Sequence, residues 1–157
     1  MRTQFNRSVK RPVKLPALFR HTASQELELK IIPHAHLQAV IDGRGGENEF
    51  LTVVYRVMVG GSLTSYADEE GEKTLEGIFT AALNALIAIG ERYEQLQKFS
   101  CLAHEIYPVK EALNMTDDLQ ALTTRKQQSL VYLQVSHFVG SFAKTMRNLR
   151  ALQEKYQ

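Results

Sequence analysis

One cysteine, Cys101, is all that the 157-residue chain offers to disulfide chemistry. An internal disulfide framework is therefore excluded, and a reducing compartment is expected. No apolar run reaches the roughly 18 residues needed to cross a bilayer; the uncharged segment Gly77 to Gly90 is too short. No apolar core follows the N-terminal charges, so a secretory signal is not expected and the cytoplasm is the default. Proline is scarce, and two of the four, Pro12 and Pro16, fall in the first 21 residues, where they argue against a helix.

Acid is missing from that same stretch. Residues 1–21 hold Arg2, Arg7, Lys10, Arg11, Lys14 and Arg20 and no carboxylate, a charge of +6. The rest of the chain holds 13 basic and 17 acidic side chains, a charge of −4. The split predicts a basic arm on a mildly acidic body, with residues 22–157 forming one helical domain. The six arm cations are the candidate contacts for nucleic acid or an acidic partner.

What the chain has in quantity is helical periodicity. From Glu72 to Phe99, Leu75, Ile78, Phe79, Ala82, Leu83, Leu86, Ile89, Tyr93 and Leu96 recur at steps of three and four. Asp68, Glu69, Glu70 and Glu72 crowd the start, where negative charge suits the helix dipole. Such a helix would be roughly 42 Å long, and its charge-free middle predicts cover on more than one face. Gly77, Ala81, Ala85 and Ala88 form a strip of small residues suited to close helix approach, within the bundle or across a dimer.

Elsewhere the pattern is less regular. Glu26 to Ile32 alternates like a short strand or fits a helix turn, and Pro33 is suited to open a helix that Gly43 ends. Glu49 to Val59 is β-branched, yet Phe50, Val53, Val54, Val57 and Met58 share a helix face and Gly60–Gly61 reads as its stop. Helix is the prediction; the alternative is a hairpin with Leu27–Ile32 and an α+β class. Ser100 is a candidate cap for a short helix that Pro108 breaks or kinks. Thr116, Asp117 and Asp118 look like a helix start, with uninterrupted helix from there to the C-terminus.

Two stripes mark that last region. Leu119, Leu122, Leu130 and Leu133 form one; Val131, Val135, Phe138, Phe142, Met146, Leu149, Leu152 and Tyr156 form the other, at near-heptad spacing. Val135, Phe138, Phe142, Met146 and Leu149 are accordingly the candidate interface of a homo-oligomer. The glycine-containing turn of a helix-turn-helix reader is not evident between Thr123 and Gln157.

Chemistry-bearing constellations are few. Cys101 and His104 stand at i, i+3 with Glu105 beside them, the one candidate for Cys–His catalysis. A metal site there would have to recruit His34, His36 or His137, and neither metal nor cofactor is expected. Asp42 to Glu47 is glycine-rich but lacks the lysine and hydroxyl of a phosphate loop. The expectation is an all-α bundle of five or six helices, with a long central helix and a long C-terminal helical region. Its expected role is non-catalytic binding or regulation through the basic arm. The alternatives are a pure protein-interaction module, an inhibitor or adaptor, and a small helical enzyme using Cys101 and His104.

Overall fold

The computed structural model describes residues 23–155, and the basic arm with its six candidate contacts lies outside them. Six helices follow in order: α1 (Ala23–Ile41), α2 (Glu47–Leu63), α3 (Glu69–Leu96), α4 (Ala103–Leu122), α5 (Arg125–Phe138) and α6 (Phe142–Lys155). A 3-10 turn, Thr64–Tyr66, extends α2. Among the described residues there is no strand, so the all-α class holds and the hairpin alternative falls.

The centre of the bundle is α2. Phe50, Val53, Val54, Val57, Val59 and Leu63 are each at most 1% exposed, and α2 packs on α1, α3, α4 and α5. Burial on all sides explains the β-branched composition, which mimics a buried strand. The helix runs through Gly60 and Gly61 because a close approach demands it. A Cβ on Gly60 would collide with the Thr116 hydroxyl of α4 and the Phe79 ring of α3. Helix continuity here outweighs the propensity cost of glycine, about 1 kcal/mol per residue.

Several boundaries depart from expectation, each for a physical reason. Pro33 does not open α1 but sits inside it, buried. Pro108 likewise lies within α4, at its sixth residue, where its missing N–H leaves one intrahelical hydrogen bond unmade and the helix continues regardless. Thr116 is not a cap: its hydroxyl donates to the Ala112 carbonyl four residues back, at 2.7 Å. Asp117 points at partners on other helices instead of at a helix N-terminus. Gly43, with φ of +71°, does end α1 as expected.

The C-terminal region is two helices joined to α4 by short breaks. Thr124 opens α5 through a reciprocal cap: its hydroxyl accepts from Gln127 N–H at 3.2 Å, and Gln127 Oε1 accepts from Thr124 N–H at 2.9 Å. Val139–Ser141 then separates α5 from α6, with Ser141 Oγ accepting from Lys144 N–H at 3.2 Å. This three-residue connection contains Gly140, so a glycine-containing turn between two helices is present where none was expected.

The long helix α3 caps on Asp68, whose Oδ1 accepts from Gly71 N–H at 2.7 Å, and ends at left-handed Gln97. By length and composition it is the one described helix able to cross a membrane. In this fold Phe79, Ala82, Leu86 and Ile89 spend that apolarity inside the bundle. Its chief partner is α4, and of the C-terminal helices it packs on α6. Phe50, Tyr93, Phe99 and Phe142 interlock near its C-terminal end, with ring centroids 4.1 to 6.2 Å apart.

Leu86, 1% exposed, is the test of that packing. Leu86→Ala should cost roughly 2–5 kcal/mol in denaturant titration. Two glycines give an opposed pair. Gly60→Ala should destabilise strongly through the collision described. Gly77→Ala, where a Cβ meets nothing within 4 Å, should stabilise by about 0.5–1 kcal/mol.

Candidate functional site

Three constellations of polar groups stand out from the core: two are internal ion-pair networks and the third lines a cleft.

The first network surrounds Arg56, a guanidinium 4% exposed within the apolar α2. Its Nη2 donates to Asp117 Oδ1 of α4 at 2.8 Å and its Nη1 donates to the Tyr132 hydroxyl of α5 at 3.1 Å. Asp117 Oδ2 meets His34 Nε2 of α1 at 2.9 Å. Four helices therefore converge on one carboxylate and one guanidinium. Tyr55, stacked on Tyr132 with centroids 6.2 Å apart, is pushed up to about 12 by burial and by the neighbouring Tyr132. The arrangement fixes helix register. It holds no nucleophile, and Asp117 is fully engaged by its two partners.

The second network closes the α3–α4 connection. Arg92 grips Glu105 through both arms, at 3.0 and 2.6 Å, and also donates to the Ser100 carbonyl at 2.6 Å. Glu105 Oε2 accepts in addition from Leu102 N–H at 2.8 Å, which caps α4. Burial works to raise the Glu105 carboxyl, but the Arg92 hydrogen bonds, the Leu102 N–H and the Arg92 charge outweigh it and hold it below the ordinary value.

This geometry decides the Cys101–His104 candidate. Cys101 lies half-buried in the connection and His104 is exposed near the start of α4. Burial, then the Glu105 charge, pushes the Cys101 thiol up to about 11, so it is protonated at neutral pH and a poor nucleophile. Glu105, the third member of the trio, is committed to Arg92. Among the described residues no group of three metal-ligating side chains comes together. His34 serves Asp117, and His36 is half-buried one turn from Val40, with Nδ1 unpartnered.

The third constellation is a cleft of about 570 Å³ between α2, α3, α5 and α6. It exists because α5 packs on α2 while α6 packs on α3, leaving α3 and α5 apart. Its floor is apolar: Val57, Met58, Phe79, Leu83, Ile87, Val135, Phe138, Leu149 and Leu152. Along one wall α3 presents a polar row at steps of four, Glu72, Glu76, Thr80 and Asn84. Gln153 Nε2 donates to Asn84 Oδ1 at 3.0 Å and closes one end; Gln134 lines the facing wall.

The candidate oligomer residues fall on the inner side of this arrangement. Val135, Phe142, Met146 and Leu149 are buried and Phe138 is half-buried, all within a single chain. The stripe is covered by α2 and α3, which leaves these side chains little surface for a second copy. The opposite stripe faces out: Leu122, Leu130 and Leu133 are 84, 56 and 51% exposed, and Leu119 alone is buried. On the small-residue strip, Ala85 is buried while Gly77 and Ala81 are exposed.

Arg56 and Asp117 were not singled out from sequence as a pair. The signal was present: a lone cation in an otherwise apolar helix requires a partner, because an unpaired buried charge is prohibitively costly. No signal of that kind marks the cleft, since its walls come from four separate segments. No known protein family matches the chain, and no curated protein or solved structure does so either.

Two expected outcomes follow from the α3–α4 connection. The folded Glu105 carboxyl sits below its unfolded value near 4.5, so its contribution is complete above that value and lost as pH falls through the folded one. Melting temperature in the wild type should therefore fall more steeply from about pH 5 to about pH 3 than in Glu105→Gln. Cys101 should react with a maleimide at pH 7 far more slowly in the native protein than in urea; equal rates would show an accessible, unperturbed thiol, and a faster native rate an activated one.

Proposed function

We propose that the protein is a non-catalytic binding protein whose basic arm, residues 1–21, contacts nucleic acid or an acidic protein surface. The observation that carries the reading is the charge split: +6 without one carboxylate in the arm, −4 over the remainder. Extended Arg and Lys side chains meet phosphates first and read little sequence by themselves. The α6 helix adds exposed Lys144 and Arg147 directly after the Gly140 turn, a second cationic surface. Both internal networks are committed to structural ion pairs, although Arg56 Nε is left without a hydrogen-bond partner, and burial keeps the Cys101 thiol protonated, which supports binding over chemistry.

A second reading has its own observation. Leu122 at the end of α4 and Leu130 and Leu133, one turn apart on α5, are large exposed apolar side chains, and exposed apolar surface of this kind marks protein-interaction sites. On this reading the protein is an interaction module of the inhibitor or adaptor kind.

Fluorescence anisotropy with a labelled duplex separates them. Three to six phosphate contacts predict a log–log salt slope of roughly −3 to −5. Deleting residues 1–21 should abolish binding with the helical circular-dichroism signal intact, since α1 begins at Ala23. Binding that survives the deletion but falls in Lys144→Glu/Arg147→Glu moves the contact to α6. No binding by the full chain at low salt puts the interaction module first.

A further inference from the structure

We propose that the cleft between α3 and α5 is a binding site for a small organic cation with an apolar body. It is independent of the arm and of whatever the arm contacts.

Size is the first argument. A cleft of about 570 Å³ lies within the roughly 300–1,000 Å³ that small-molecule sites occupy. Shape is the second. Adjacent rows of one helix divide the wall, with Phe79, Leu83 and Ile87 facing the floor and Glu72, Glu76, Thr80 and Asn84 along the edge. A ligand lying along α3 would set its hydrocarbon on the first row and its polar head on the second.

Charge selects the head group. Glu72 and Glu76 are the two ionisable side chains of the lining; α2, α5 and α6 contribute apolar, hydroxyl and amide groups but no cation. Neither carboxylate has an ion-pair partner among the described residues, whereas Glu69, one turn before Lys73, does. Two like charges one helical turn apart repel mildly and gain from a shared cation. An ammonium group between them would relieve that repulsion while its hydrocarbon rests on the apolar row; both carboxylates are exposed, so the gain is modest. An anionic amphiphile of the same size would meet repulsion at the same place. At the far end the Asn84–Gln153 amide pair offers both donor and acceptor, which suits a neutral polar substituent.

The test uses two probes with one skeleton and opposite charge, 4-phenylbutylamine and 4-phenylbutyrate, against the full chain at neutral pH. Methyl NMR titration reads the site directly. The amine should saturably shift the methyls of Val57, Leu83, Ile87 and Leu149, and the butyrate should bind at least about 3-fold more weakly. Glu72→Gln/Glu76→Gln changes two exposed, unpaired side chains and should erase the difference between the probes. Thr80→Lys, on the same exposed row, should weaken the amine and strengthen the butyrate. Equal binding of both probes to the wild type overturns the proposal, as does a preference for the amine that survives in both variants. Shifts confined to methyls outside the cleft, or no shift with either probe, overturn it as well.

Discussion

A single buried guanidinium constrains how this bundle is assembled. Arg56 is the one charge that α2 carries into the core, and a cation so enclosed is tolerated only with partners in good geometry. Asp117 and Tyr132 supply them, and Asp117 in turn holds His34. These contacts set α1, α4 and α5 in register on α2 at one level of the bundle. Apolar packing alone would leave that register less defined, because hydrophobic attraction has no direction. The Gly60 approach then fixes how near α3 and α4 come to the same helix.

With α2 at the centre, the remaining helices differ in which of α2 and α3 they cover. α6 packs chiefly on α3, α1 and α5 pack chiefly on α2, and α4 packs on both α2 and α3. Because α5 lies on α2 and α6 on α3, α3 and α5 diverge and the cleft opens between them. Arg92 and Glu105 hold the α3–α4 turn at one end, and Arg150 ties α6 to Glu91 and Glu94 of α3. The walls of the cleft are thus supported by elements outside it, the condition for a preformed site. Its edge is acidic, in keeping with the net charge of −4 over residues 22–157.

The same distribution of charge bears on the proposed role of the arm. An acidic bundle repels a polyanion, so contact with one depends on segments that carry concentrated positive charge. Residues 1–21 supply most of it, and α6 supplies Lys144 and Arg147. A cationic ligand in the cleft would act on a different surface, through different groups, and the two contacts need not compete.

The class of the fold was legible in the chain, because period-3.6 burial survives in α3, α5 and α6 whatever their neighbours. The start of α3 and the end of α1 were legible for a similar reason: Asp68 and Gly43 act through their own backbone within one turn. Other boundaries were not. Pro33, Pro108, Gly60 and Thr116–Asp118 all carry local signals for a break or start, yet each sits inside a helix that burial and partner contacts continue. Conversely, the Thr124–Gln127 cap and Gly140–Ser141 do break the C-terminal region, because splitting it into α5 and α6 lets its apolar stripe face α2 and then α3. The split of charge, +6 over residues 1–21 and −4 over the rest, is fixed by sequence alone. The Arg56–Asp117 pair and the cleft were decided by tertiary structure, since both join residues from segments far apart in the chain and exist only where the helices bring them together.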